Sequence, residues 1–114
     1  MAHQMAVDFD HLKKYTAGDS QVEEEILSVF MQQAEIWVRM LNESQDDKGW
    51  LDAAHSLKGS ARGVGAWSVA ELCEHAESLA SQSSPAERSM ALGDLKAAVA
   101  DVVRCIEVRL KAGR

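Results

Sequence analysis

The sequence predicts an all-α domain, an antiparallel up-down-up-down four-helix bundle with a short additional helix at its N-terminal end. Three observations predict it: apolar residues recur at spacings of three and four along nearly the whole chain, no stretch alternates with period two, and there is one proline in 114 residues. A chain of this length builds one core, so residues 1–114 are expected to form a single domain.

A short first helix is expected from about Asp8 to Tyr15, with Phe9 and Leu12 on one side and "TAGD" ending it. It is too short to stand alone and must pack on other helices. Ser20 and Glu23 have the spacing of a capping box, and from there Val22, Ile26, Val29, Phe30, Trp37, Met40 and Leu41 trace one face of a long second helix to about residue 43. After the polar turn "NESQDDKG", Trp50, Leu51, Ala54, Leu57, Ala61 and Val64 stripe a third helix, and Gly63 and Gly65 punctuate the reversal that follows. Val69, Leu72, Cys73, Ala76, Leu79 and Ala80 stripe a fourth helix, which "SQSSP" breaks. Ser84, Pro85 and Glu87 supply an N-cap, a first-turn proline and an N3 acid for a fifth. Its stripe is Leu92, Leu95, Val99, Val102, Val103, Ile106 and Leu110.

With 46% hydrophobic and 26% charged residues the chain is globular rather than disordered, and it lacks the apolar run of ~18 residues that a bilayer span needs. A net charge of -6 argues against nucleic-acid binding, which requires cations to replace counterions on phosphates. "MAHQMAVDFD" has neither a basic n-region nor an apolar h-region, so a cytoplasmic location without membrane attachment is expected. Cys73 and Cys105 are far apart, lack CxxC spacing and lie on helix stripes, as reduced core residues do.

The stretch "AAHSLKGSARGVGA", residues 53–66, places a histidine, two cations and glycines inside an alanine-rich helix. With Trp50 at zero on a wheel of about 100° per residue, Ala53, Ala54, Leu57, Ala61 and Val64 fall within roughly 60° of one direction. His55 falls at roughly 140°, Lys58 at roughly 80°, Arg62 at roughly 120° and Gly59 at roughly 180°. The histidine therefore lies outside the core, with cations one and two turns along and bare backbone beside it. Gly59 costs about 1 kcal/mol relative to alanine within a helix, so a need for close approach by another protein is the expected reason for it.

On the fourth helix Glu77 lies at the margin of the apolar face, while Glu71, Glu74 and His75 point to solvent. A reversal near Ala66 leaves positions 55 and 77 equidistant from the turn and level with each other. Glu77 can then accept from His55 Nδ1–H and leave Nε2 free as a nucleophile, the alternative being a border ion pair with Lys58. Nε2 can take a phosphoryl group whose oxygens Lys58 or Arg62 would balance.

"AHSLKGSARGVGAWSVAELCEHAE" resembles the histidine-containing phosphotransfer (HPt) domain family of multistep two-component signalling. That family's pattern is AH-x-LKG-S/A, a Gly-Ala turn and an L-C-x-x-x-E/Q-like segment. The resemblance implies that His55 is the phosphoacceptor, Lys58 the lysine near the phosphoryl oxygens, Gly59 the small residue that admits the partner, Ser60 the small polar residue after it, and Glu77 the residue that hydrogen-bonds the imidazole. Arg62 rests on the wheel alone. The implied function is to accept a phosphoryl group on His55 from a phospho-aspartate of one receiver domain and pass it to another, without kinase activity. Implied partners are response-regulator receiver domains and a hybrid sensor kinase, with Mg²⁺ bound by the receiver, no cofactor on this chain, and the chain a monomer. Leu12 and Tyr15 of the first helix, with the start of the second, are candidates for an apolar docking patch, the alternative for each being burial in the bundle.

Three alternatives differ in sequence. A sensor-kinase dimerisation module carries an acid after its histidine and then a basic-Thr-Pro run, whereas "SLKGSA" follows His55 and no Gly-rich nucleotide-binding box occurs. A metal-binding bundle needs inward Glu-x-x-His pairs on several helices, and no metal site is expected; His3, His11 and His75 are read as surface residues. A degenerate bundle that binds receivers without transfer would not need both His55 and Lys58.

Overall fold

The computed structural model describes residues 5–44, 46–81 and 83–112. Among the described residues there are five helices and no strand: α1 (Phe9–Thr16), α2 (Ser20–Glu43), α3 (Asp47–Val64), α4 (Trp67–Ser78) and α5 (Pro85–Ala112).

The helix ends follow local capping chemistry, with two departures from expectation. Asp8 caps α1 by accepting from His11 N–H at 3.1 Å. The cap of α2 is Asp19 and not Ser20: its carboxylate takes the N–H groups of Gln21 at 3.0 Å and Val22 at 3.2 Å, so the Ser20–Glu23 box does not form. An ionised acceptor one residue earlier outcompetes a hydroxyl at the positive end of the helix dipole. Likewise α3 starts ahead of the Trp50 stripe, because Asp46 accepts from Gly49 N–H at 2.7 Å and draws "DKG" of the polar turn into the first helical turn. The Ser84–Glu87 box does form at the start of α5, with reciprocal bonds of 3.1 and 3.2 Å.

The core joins Leu27, Phe30, Ala34 and Leu41 of α2 to Trp50, Ala54, Leu57 and Ala61 of α3, Val69, Cys73 and Ala76 of α4, and Leu95, Val102 and Ile106 of α5. Val22, Val29 and Met40, expected on the buried face of α2, are exposed. They lie roughly 80–100° around the helix from the Phe30 seam, so the apolar face of α2 is wider than the surface its neighbours cover. Cys73 is buried, Cys105 sits half-buried at the core's edge, and both thiols are free.

α3 packs against α2 and α4, α5 against α4 and α2, and α1 lies on α2 and α3. Arg109 of α5 grips Glu23 of α2 through bonds of 3.1 and 3.2 Å and lies 4.3 Å from the Phe9 ring centroid. No helix among the described residues is long and apolar enough to cross a membrane.

One turn sets the relation of α3 to α4. Gly65 adopts a left-handed φ of 78°, Ala66 N–H reaches Ala61 O at 2.8 Å and Gly65 N–H reaches Arg62 O at 3.3 Å, a Schellman closure. Gly63, expected to share in the reversal, lies within α3 without a positive φ. The segment before α1 is strapped onto the turn: Asp8 N–H donates to Gly65 O at 2.9 Å, and Trp67 Nε1–H donates to Asp8 Oδ2 at 3.0 Å.

A Cβ at position 65 would stand 2.8 Å from Asp8 O in a backbone conformation that L residues resist, whereas one at position 63 would meet nothing within 4 Å. Gly65→Ala should therefore cost at least about 1–2 kcal/mol in urea denaturation. Gly63→Ala should be neutral or stabilising by up to about 1 kcal/mol. Equal effects at the two positions would refute this account of the turn.

Candidate functional site

The buried stripe of Ala54, Leu57 and Ala61 fixes the rotation of α3 and turns His55 outward, where 71% of its side chain is exposed. Across the Gly65 turn, α4 brings Glu77 level with it: His55 Nδ1 lies 3.3 Å from Glu77 Oε2. Lys58, one turn along α3, places Nζ 2.5 Å from the other oxygen, Oε1. The two partners that the sequence offered as alternatives for Glu77 are thus held together, one on each oxygen of a single carboxylate.

This carboxylate is 19% exposed, and Oε1 is closed off from solvent. Burial pushes its pKa up, but the hydrogen bonds and charges of Lys58 and His55 outweigh burial and hold it below the ordinary 4.5. Ionised at neutral pH, Glu77 can only accept, so Nδ1 is the donor, and the tautomer this selects carries its lone pair on Nε2. Beneath the pair, Cys73 is pushed up to about 12, first by burial and then by Glu77, with Lys58 opposing. That thiol is a packing group and not a nucleophile.

The remaining site residues separate into four places. Lys58 is only 14% exposed and folds onto Glu77 rather than standing free on the outer strip. Arg62 lies about 10 Å along the helix axis from His55, where Nη2 bonds Glu74 Oε2 at 3.1 Å. Ser60 Oγ donates to Gln33 Oε1 of α2 at 3.2 Å, which ties it to the neighbouring helix. Gly59 and Gly63 form an exposed strip beside His55, and a Cβ on either would meet nothing within 4 Å. Nothing inside the fold demands glycine at these positions.

Leu12 is fully buried and not available as a contact side chain; it belongs to the core, because α1 is too short to fold without burying it. Tyr15, one turn on, is 67% exposed. A groove of about 590 Å³ opens beside the glycine strip, lined by Leu12, Tyr15, Val29, Phe30, Ser60 and Gly63 among others. The exposed apolar flank of α2, with Val29, Ile36 and Met40, was not legible as surface from periodicity alone. Its signal was an apolar arc wider than one seam.

His11 is not the unpartnered surface residue that its lone position indicated. Its Nε2 lies 3.1 Å from Arg62 O, and its ring meets Tyr15 and Trp67 edge-on at centroid distances of 5.1 and 4.8 Å. His75 is exposed, and His3 lies outside the described residues. Among the described residues no group of three or more His, Cys, Asp or Glu is placed to hold a metal ion.

A helical domain that presents one exposed imidazole, oriented by an ionised carboxylate and backed by a lysine, has the form of a phosphotransfer module. The sequence profile of the Hpt domain matches residues 21–105, a span that includes His55, Lys58 and Glu77, and the chain belongs to this family. It is similar to the crystal structure of histidine phosphotransferase ShpA from Caulobacter crescentus, with 38% identity over 96% of this chain and 99% of that one and a TM-score of 0.68. No curated protein sequence matches the chain.

Because folding lowers the pKa of Glu77, its contribution to stability is complete above the ordinary 4.5 and is lost as the pH falls through the lower folded value. The stability gap between wild type and Glu77→Gln, measured by denaturation at several pH values, should narrow on acidification; a gap independent of pH would contradict the assignment. A thiol reagent at mildly alkaline pH should modify Cys105 in the native protein and Cys73 only after unfolding.

Proposed function

We propose that His55 accepts a phosphoryl group from the phospho-aspartate of one receiver domain and delivers it to the aspartate of another, as an intermediate of a two-component phosphorelay without kinase activity of its own. The observation that carries this is the Nδ1 contact to ionised Glu77, which leaves Nε2 as an exposed nucleophile. The lone pair of Nε2 forms the N–P bond as the P–O bond to the donor aspartate breaks and its carboxylate leaves. The positive charge that develops on the ring is balanced through Nδ1–H by Glu77. The reverse sequence, with a receiver carboxylate attacking phosphorus, discharges the histidine.

In-line geometry and charge compensation dominate such a transfer, and most of the catalytic groups come from the receiver, including its aspartate and Mg²⁺. On this reading the chain needs no cofactor. Lys58 neutralises Glu77 while His55 is free, and a phosphoryl dianion on Nε2 competes for the same ammonium. Arg62 lies too far along the helix, and too closely paired with Glu74, to be the first cation recruited. The glycine strip gives the receiver close access, and Tyr15 with the exposed flank of α2 offers it an apolar contact. The four long helices alternate up and down, a topology supported by the pairing of Glu23 with Arg109 and Asn42 with Lys96 between α2 and α5. The protein acts as a cytoplasmic monomer that serves receiver domains, one of them attached to a hybrid sensor kinase, with no part in membrane or nucleic-acid binding.

Incubation with a ³²P-labelled receiver should transfer acid-labile, base-stable label to the wild type and none to His55→Gln. Gly59→Lys should slow transfer by roughly 100-fold while preserving the helical circular-dichroism signal, since the added bulk displaces the docked receiver and touches no core residue. Label taken directly from ATP, or receiver binding without any transfer to His55, would overturn the proposal.

A further inference from the structure

We propose that Trp50 and Arg88 are positioning residues for the His55–Glu77 pair, clamping the C-terminal turn of α4, and with it the Glu77 carboxylate, to α3 and α5. The functional consequence rests on the phosphotransfer reading of His55, whereas the clamp itself is a matter of geometry.

Glu77 lies in the last turn of its own helix: α4 ends at Ser78, one residue later, and its cap at Leu79 is neither glycine nor left-handed. A carboxylate in the last turn of a helix also stands among carbonyl dipoles that repel it. What holds this turn comes from elsewhere. The buried Trp50 of α3 donates Nε1–H to Ala76 O at 2.6 Å, and that carbonyl belongs to the peptide unit that carries the nitrogen of Glu77. Arg88 of α5 donates Nε and Nη2 to Leu79 O, both at 3.2 Å, and Nη2 to Ala80 O at 2.5 Å. The same guanidinium reaches Asp47 Oδ1 at 2.5 Å, at the first residue of α3, and lies 5.3 Å from the Trp50 ring centroid.

The clamp therefore fixes the end of α4 to the helix that bears His55, and does so one peptide unit from the carboxylate that orients the ring. Precision is needed there, because the His55–Glu77 distance of 3.3 Å is already long against the usual 2.9–3.0 Å. A modest outward shift of the turn would lose that bond, while the 2.5 Å contact of Lys58 through a flexible stem would survive. Arg88 also brings a positive charge to the negative end of α4, which lowers the cost of keeping Glu77 ionised in its last turn.

Trp50→Phe keeps the aromatic bulk and removes the donor. Imidazole ¹⁵N shifts of the free protein read the tautomer of His55, and transfer from a phosphorylated receiver reads its reactivity. The variant should stay folded, lose the dominance of the Nδ1–H tautomer and transfer up to about tenfold more slowly, the scale of one net hydrogen bond, with receiver affinity unchanged. In a Glu77→Ala background the same substitution should change neither readout further, since there is no carboxylate left to position. An unchanged tautomer in folded Trp50→Phe, or an equal additional slowing in the Glu77→Ala background, would overturn the clamp. Arg88→Lys, which keeps the charge but loses the fork and the stacking, gives the same readouts should Trp50→Phe fail to fold. A wild type that takes no phosphoryl group defeats the functional proposal, and the tautomer measurement still decides the clamp.

Discussion

The left-handed residue at position 65 is the constraint on which the site depends. A helix ending elsewhere, or a turn one residue longer, would rotate α4 by about 100° about its axis relative to α3 and carry Glu77 away from the imidazole. The closure is fixed from both sides: the α3 carbonyls of Ala61 and Arg62 bind the turn from within, and the backbone of Asp8 binds it from outside. Asp8 lies so near that a side chain at 65 has no room. The segment ahead of α1 thus contributes to a site it never touches, because it defines the turn that puts positions 55 and 77 at one level.

That level brings together groups whose preferences conflict. Glu77 is partly buried and sits at the wrong end of a helix dipole, two effects that favour its neutral form. Lys58 on Oε1 at 2.5 Å and His55 on Oε2 at 3.3 Å together outweigh these effects and hold the carboxylate below its ordinary value. On the proposed reading the lysine acts on the histidine through the carboxylate they share before any phosphoryl group is present. A neutral acid at 77 could donate a proton to the ring, and the tautomer would no longer be determined. Residues that break local rules in this way are expected where a fold carries chemistry rather than stability.

Much of this was legible in the sequence because it depends on periodicity and on symmetry about a turn. Helix order, the outward placement of His55 and the pairing of 55 with 77 all follow from counting residues, and the structure bears each of them out. Competition among nearby partners does not follow from counting. Asp19 and Ser20 are adjacent candidates for one cap, decided by charge and reach. Lys58 and Arg62 are both cations on the outer half of α3, but Glu77 takes the first and Glu74 the second. His11 carries no pattern, since its partner is a backbone carbonyl at the end of α3 and its ring contacts come from Tyr15 and Trp67. On α2, periodicity showed an apolar arc but not which edge of it the neighbours would leave uncovered.

That uncovered edge bears on how the site works. Val29, Ile36 and Met40 remain in water in the isolated chain, and the groove that Val29 helps to line opens beside glycines that no internal contact requires. On the proposed reading, surface of this kind beside the histidine is shaped by what docks on it rather than by the fold that carries it. The electrostatics point the same way. On the proposed reading His55 is the nucleophile, but Lys58 is engaged by Glu77 and Arg62 by Glu74, so the resting chain offers little to stabilise charge on a transferring phosphoryl group. The missing half then arrives with the receiver, and an imidazole that is largely exposed to solvent stays unproductive until the partner brings the electrophile and the charge together.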